Sequence, residues 1–235
     1  MEYKIPGIRC LTQEGGKTLS WSEESGVGLM EQDGLYFKDL AKTGTLLPYE
    51  DWRLDDWTRA KDLASRLSME EIAGLMLYSP HQSVPGNQMP FVGTYGGKSF
   101  HESGREAHEL SDQQKQFLGQ EHIRHVLVTG VQDAATCARW SNELQKLAEA
   151  LPFGIPVNIS TDPRNGARGS SGVEFRTGGG DVSKWPEGVG FAACFDPEVV
   201  RQFAQDASRE YRALGICTAL GPQIDLCTEI GRAHV

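Results

Sequence analysis

RHVLVTGVQDAATCARWSNELQKLAEALPFGIPVNIS, residues 124–160, is the stretch on which the fold turns. It begins with a short β-branched run, RHVLVTG (124–130), that stops at a glycine. DAATCARWSNELQKLAEA (133–150) then places Cys137, Trp140, Leu144 and Leu147 at helical spacing, which makes one face apolar. IPVNIS (155–160) is again a short strand-like run. Further on, Asp196 is positioned to cap a helix with Pro197 in its first turn. Val200, Phe203, Ala207, Tyr211 and Leu214 form the expected buried stripe of that helix, and Gly215 ends it. CTALGPQIDL (217–226) supplies a third expected strand. Strands too uniformly apolar for one wet face, alternating with helices, predict a parallel α/β sheet.

Upstream the pattern is different. Residues 1–56 are rich in Gly, Ser, Thr and Glu and are expected to form an extension with little helix. Within it DLAKTGTLLPYE has the outline of a calcium loop, with Asp39, Gly44 and Glu50 at its first, sixth and twelfth positions. Ala41, Thr43 and Leu47 stand where further oxygen ligands are wanted, so a glycine turn leading into a packed Tyr49/Trp52 segment is the expectation, with no metal. Residues 57–123 are read as lead-in helices and an irregular connection. Leu63, Leu67, Ile72, Leu75 and Met76 recur at helical steps, and Ser68 with Glu71 forms a capping box. Residues 79–120 are expected to be irregular. VGTYGGKS (92–99) only looks like a phosphate loop, because Val92 occupies the place of the first required glycine. His101 and His108 are expected to be solvated rather than metal-bound.

The net charge of −9, with no cluster of Lys and Arg, argues against a nucleic-acid surface. No apolar run approaches the roughly 20 residues of a membrane helix, and the first residues lack a secretory pattern. Five cysteines without a Cys-x-x-Cys pair predict buried free thiols, and no cofactor is expected.

In parallel α/β folds ligands sit at the carboxyl ends of the strands. Asp162 occupies that place after the second strand and Asp225 after the third. The segment following Asp162 runs to about residue 195, far beyond the usual two to six residues of such a loop. Gly178, Gly179, Gly180 and KWPEGVG are expected to shape its rim. Asp162 is either a ligand contact or an Asp-Pro turn bonded to its own backbone, and position with loop length favours the contact. Asp225 is equally suited to contact a ligand or to brace the neighbouring loop.

The ordered motifs IPVNISTDPRNGARG and WPEGVGFAACFDPEVVRQFAQDASREYRALGICTALGPQIDLCTE closely resemble the N-terminal barrel domain of glycoside hydrolase family 3 β-glucosidases. LSMEEIAGLMLYS resembles the helix before that barrel, and PYEDWRLDDWTRAKDLASRL the lead-in of a bacterial branch. The resemblance covers roughly residues 37–229. It implies a (β/α)8 barrel and retaining hydrolysis of terminal β-glycosidic bonds by two carboxylates. One attacks the anomeric carbon; the other protonates the leaving oxygen and later activates water. The family aspartate that grips hydroxyls of the terminal sugar matches Asp162. A carboxylate suits that job, since it accepts hydrogen bonds from two adjacent hydroxyls. Many relatives carry histidine after DPR where this chain has Asn165, so that secondary contact is altered here.

A (β/α)8 barrel takes about 250 residues, and the chain from residue 124 onward accommodates about three strand–helix units. The family nucleophile, its Lys-His sugar-binding pair and its acid/base lie on later segments, with no counterpart in this sequence. No catalytic residue is therefore assigned. Residues 124–229 are expected to be the first part of the barrel and residues 230–235 a non-native tail. EIGRAHV also reads as one frame of a common sequencing adapter, and Arg232 there only mimics a family arginine. The expectation is a truncated β-glycosidase fragment, inactive and prone to aggregate through its open sheet edge, and missing the rest of its barrel and a second domain. The alternative is a carbohydrate-binding or pseudoenzyme module without catalysis. The resemblance further implies a periplasmic or extracellular bacterial location.

Overall fold

The computed structural model describes residues 7–87, 92–161, 182–186 and 188–220. Strands β1 (Ile8–Leu11), β2 (Leu19–Ser22), β3 (Gly28–Gln32) and β4 (Leu35–Asp39) come first, then helices α1 (Asp56–Ala64) and α2 (Met69–Leu75). Strand β5 (Gln82–Val84), helices α3 (Phe100–Ser103) and α4 (Asp112–Gly119), strand β6 (His125–Val131) and helix α5 (Ala134–Ala150) follow. Strand β7 (Asn158–Thr161), helices α6 (Gly188–Cys194) and α7 (Pro197–Ala213) and strand β8 (Thr218–Ala219) complete the described elements. The chain divides into two compact units. One comprises Met1–Leu77, Lys115–Arg124 and Leu144–Val157; the other comprises Tyr78–Gln114, His125–Glu143 and Asn158–Val235.

In the first unit β1 pairs antiparallel with β2 and β3 with β4. The β3–β4 connection is Asp33-Gly34, both with positive φ (56° and 75°). Two left-handed residues give a turn whose twist matches the paired strands, and Asp-Gly tolerates it. Phe37 on β4 is fully buried and stacks on Trp52 at 5.1 Å, with the Arg53 guanidinium 4.8 Å from its ring. The Trp52 indole N–H donates to the Tyr36 carbonyl at 3.1 Å.

The calcium-like loop is closed by its own amides. Asp39 Oδ1 and Oδ2 accept from the Thr43 and Gly44 N–H groups, each at 2.9 Å. Glu50 Oε1 and Oε2 accept from Ala41 N–H at 2.7 Å and Leu47 N–H at 2.9 Å. Both carboxylates serve as loop staples.

Ser68 caps α2 with the expected reciprocal bonds to Glu71. Met76, expected in the apolar stripe, is instead the C-cap residue and is 82% exposed. Arg124 is buried and donates to three carbonyls: Ile155 from Nε at 3.1 Å, and Leu118 and Ile123 from Nη1 at 2.8 and 2.9 Å.

The second unit contains a parallel four-stranded sheet in the order β5-β6-β7-β8. Parallel neighbours need crossover connections, and here those connections carry α4, α5, and α6 with α7. The alternation read from residues 124–219 is therefore present, but the sheet has one strand more than expected. Residues 79–120 are not irregular throughout: they hold β5, α3 and α4. Strand β5 is only Gln-Ser-Val, too short and polar to show a period. A side-chain relay ties it in, running from the Trp140 indole N–H to Gln114 Oε1 (3.2 Å) and from Gln114 Nε2 to Gln82 Oε1 (3.2 Å).

Cys137 and Trp140 on α5 are fully buried, and burial pushes the Cys137 thiol up to about 12. On α7, Ala207 and Tyr211 are buried as expected, and so is Leu214 just beyond it, whereas Val200 is 42% exposed. Leu147 is half-buried, and its neighbour Ala148 takes the fully buried place in the first unit. Cys194 and Cys217 are exposed free thiols, which corrects the expectation that all are buried. The VGTYGGKS turn directs the Gly96 and Gly97 N–H groups onto Asp112, Oδ1 and Oδ2, at 2.9 Å each. The chain supplies its own carboxylate where a phosphate loop would take its ligand.

Several carboxylates are held below their ordinary value of 3.8: Asp51 chiefly by the Arg53 hydrogen bonds, Asp62 by Arg66, and Asp133 by the Thr136 N–H and hydroxyl. The folded state therefore binds fewer protons than the unfolded chain near pH 3–4. Their contribution is complete above about pH 5 and is lost as pH falls through the folded-state values. Urea denaturation should give equal midpoints at pH 6 and 7 and a lower one at pH 3.5. An unchanged midpoint at pH 3.5 contradicts these assignments.

Candidate functional site

A parallel sheet places all its strand carboxyl ends along one edge. Here that edge is formed by Val84, Val131, Thr161 and Ala219. The most constrained of the four is Thr161. It is 1% exposed, its hydroxyl donates to the Val128 carbonyl at 2.8 Å, and its carbonyl accepts from Leu220 N–H at 2.9 Å. Ser160, fully buried, donates from its hydroxyl to the Val126 carbonyl at 3.2 Å. The end of β7 is thus clamped to β6 on one side and to β8 on the other. Asp162 is the next residue in the chain. Asp162, Asn165 and Asp225 themselves lie outside the described residues, as do Gly178, Gly179, Gly180 and residues 230–235.

At the carboxyl end of β6 the available carboxylate is Asp133. It accepts from Thr136 N–H at 2.8 Å and from the Thr136 hydroxyl at 2.7 Å. Those bonds cap α5 and hold the carboxyl in its ionised form, which makes Asp133 a structural group rather than a proton donor.

The chain re-enters the described structure at Val182, which is buried. Ser183 donates from its N–H to Glu210 Oε2 at 3.0 Å and from its hydroxyl to Glu210 Oε1. Trp185 packs on Phe203 (5.7 Å between ring centroids) and Phe191 (6.3 Å). Sequence reading missed the Ser183–Glu210 pair, because a Ser and a Glu 27 residues apart carry no local signal. Among the described residues no group of three or more His, Cys, Asp or Glu side chains is arranged to hold a metal. In the first unit a cavity lined by Glu71, Leu118, His122 and Arg124 has room for about one water molecule, too little for a sugar. Among the described residues no helix is long and apolar enough to cross a membrane.

Known proteins are similar to most of this chain. A periplasmic beta-glucosidase/beta-xylosidase from Dickeya chrysanthemi is 40% identical over 205 residues, which is 87% of this chain and 29% of the relative. Beta-glucosidase C of Emericella nidulans is 35% identical over 172 residues, 73% of this chain and 24% of the relative. The chain is glycoside hydrolase family 3-like, similar in sequence to one part of these β-glucosidases. No family model matches it. The β-glucosidase-like chain spans less than a third of the length of these curated relatives.

Proposed function

We propose that this chain forms the first part of the sugar-binding barrel of a retaining β-glycosidase, β-glucosidase-like and exo-acting on terminal β-linked sugars. The observation that carries the reading is the clamped end of β7. The sequence similarity to β-glucosidases runs through a strand that stops, fully fixed, one residue before an aspartate. Asp162 accepts hydrogen bonds from two adjacent hydroxyls of the terminal sugar, and a carboxylate is suited to that geometry. Asn165 and Asp225 contribute secondary polar contacts from the same edge. The four parallel strands are the opening strands of a (β/α)8 barrel in this reading.

In this reading no residue of the chain is assigned as nucleophile or acid/base, and the chain binds sugar without hydrolysing it. The substrates are β-glucosides, with β-xylosides a second class because the Dickeya relative is named for both. That relative's name also supports a periplasmic or extracellular location.

The test is a titration of the 235-residue chain and its Asp162→Asn variant with glucose, alongside an assay on an aryl β-glucoside. Glucose is expected to bind the wild-type chain and to bind Asp162→Asn at least about tenfold more weakly, the loss of one charge-assisted contact. No aryl glucoside should be cleaved by either. Equal glucose affinity in the two proteins overturns the role of Asp162. Turnover by the chain alone overturns the assignment of catalysis to other segments.

A further inference from the structure

Arg124 carries a charge that the first unit leaves without a counter-charge. The residue is only 5% exposed. Its Nε donates to the Ile155 carbonyl and its Nη1 to those of Leu118 and Ile123. All three acceptors are neutral. Among the described residues no carboxylate pairs with the guanidinium, and Nη2 is bonded to none of them. Buried charges are ordinarily paired, because an isolated ion in a low-dielectric interior is costly.

Arg124 lines a cavity of the same unit, together with Glu71, His122 and the apolar side chains of Leu75, Leu118 and Ile155. That cavity has room for about one water molecule. Glu71 supplies the carboxylate of its wall, but Oε2 of that carboxylate accepts the Ser68 N–H at 2.8 Å in the capping box of α2. His122 brings an imidazole, which carries at least one N–H in either tautomer. We infer that this cavity binds a single monoatomic anion, chloride, against Arg124. Nη2 has the unspent donors, the buried guanidinium has the opposite charge, and a largely apolar wall strengthens the attraction by excluding water. Size selects within the class: chloride is little larger than water, whereas sulfate, phosphate and carboxylates exceed a cavity of this size.

A water molecule accepts the same donors but leaves the charge unbalanced, and Glu71 separates the two occupants. Its carboxylate repels an anion, so Glu71→Gln, which preserves the capping box, should tighten chloride binding. A water bridging Arg124 to Glu71 is held less firmly after the same change.

The test is a set of thermal melts of the full chain at constant ionic strength, with sodium chloride exchanged for sodium gluconate, alongside chlorine NMR line widths. Chloride is expected to raise the wild-type melting temperature by roughly 3 °C at about tenfold excess over its dissociation constant, and the protein should broaden the chloride line. Glu71→Gln should bind chloride about fivefold more tightly. Arg124→Met should lose both responses; if that variant does not fold, Glu71→Gln decides alone. Identical wild-type melts in chloride and gluconate overturn the inference, as does an undiminished chloride response in folded Arg124→Met. Unchanged or weaker chloride binding by Glu71→Gln also overturns it, and leaves the cavity to water.

Discussion

Replacing Trp140 with alanine is expected to destabilise the protein by about 3–5 kcal/mol, the range for deleting a fully buried aromatic. Trp140 is 0% exposed and sits on α5 one helical turn from Cys137, which is equally buried. Two losses add. The first is the apolar area of the indole and the cavity it leaves. The second is the indole N–H bond to Gln114, whose own amide holds Gln82 on β5. Because Gln114 Oε1 also accepts from Ser111 N–H at 3.0 Å, the relay is weakened rather than emptied. Cavity formation therefore dominates, and Trp140→Phe should recover more than half of the loss. Urea denaturation of the two variants distinguishes the terms. If the phenylalanine variant is as unstable as the alanine one, the hydrogen-bond relay outweighs the packing. The consequence for function is direct, since α5 is the crossover between β6 and β7, the strand that ends at Thr161.

Arg124→Met is the second large effect, about 2–4 kcal/mol of destabilisation. Burial of a cation is unfavourable, and desolvation pulls the Arg124 pKa below its ordinary value. Removing the charge recovers that cost. It also strips donors from the carbonyls of Leu118, Ile123 and Ile155. Leaving buried acceptors unsatisfied costs roughly 1–3 kcal/mol each, and three of them outweigh the recovered desolvation. Arg124→Lys, with a compact ammonium in place of the planar fork, should retain part of the network and fall between wild type and Met. Thermal melts of the three proteins test the order. A methionine variant as stable as wild type means that water replaces the guanidinium, in which case the arginine is dispensable for the fold.

Legibility in the sequence followed the range over which each feature is determined. The spacing of Cys137, Trp140 and Leu144 predicts a helix and its buried face because helical period is local, and all three are fully buried. The Ser68/Glu71 box is three residues wide and forms as expected. The Asp33-Gly34 turn is equally local and is a readable hairpin signal, whereas the composition of residues 1–56 predicts only an extension with little helix. Val200 and Met76 satisfied the helical period yet remain exposed, because period places a residue on a face but does not supply a partner for that face. Strand β5 escaped because three residues cannot show alternation and its residues are partly polar.

The sequence by itself determined the parallel α/β character of residues 124–219, since apolar strands joined by amphipathic helices have few other ways to bury both faces. It also determined that Asp162 follows the carboxyl end of a strand. Only the tertiary structure decided that β5 joins the sheet, that Asp39, Glu50 and Asp112 bond the chain's own amides, and that Glu210 holds Ser183. These are choices among polar partners. Short-range pattern measures how much apolar surface a segment must hide; which donor meets which acceptor depends on where distant segments arrive.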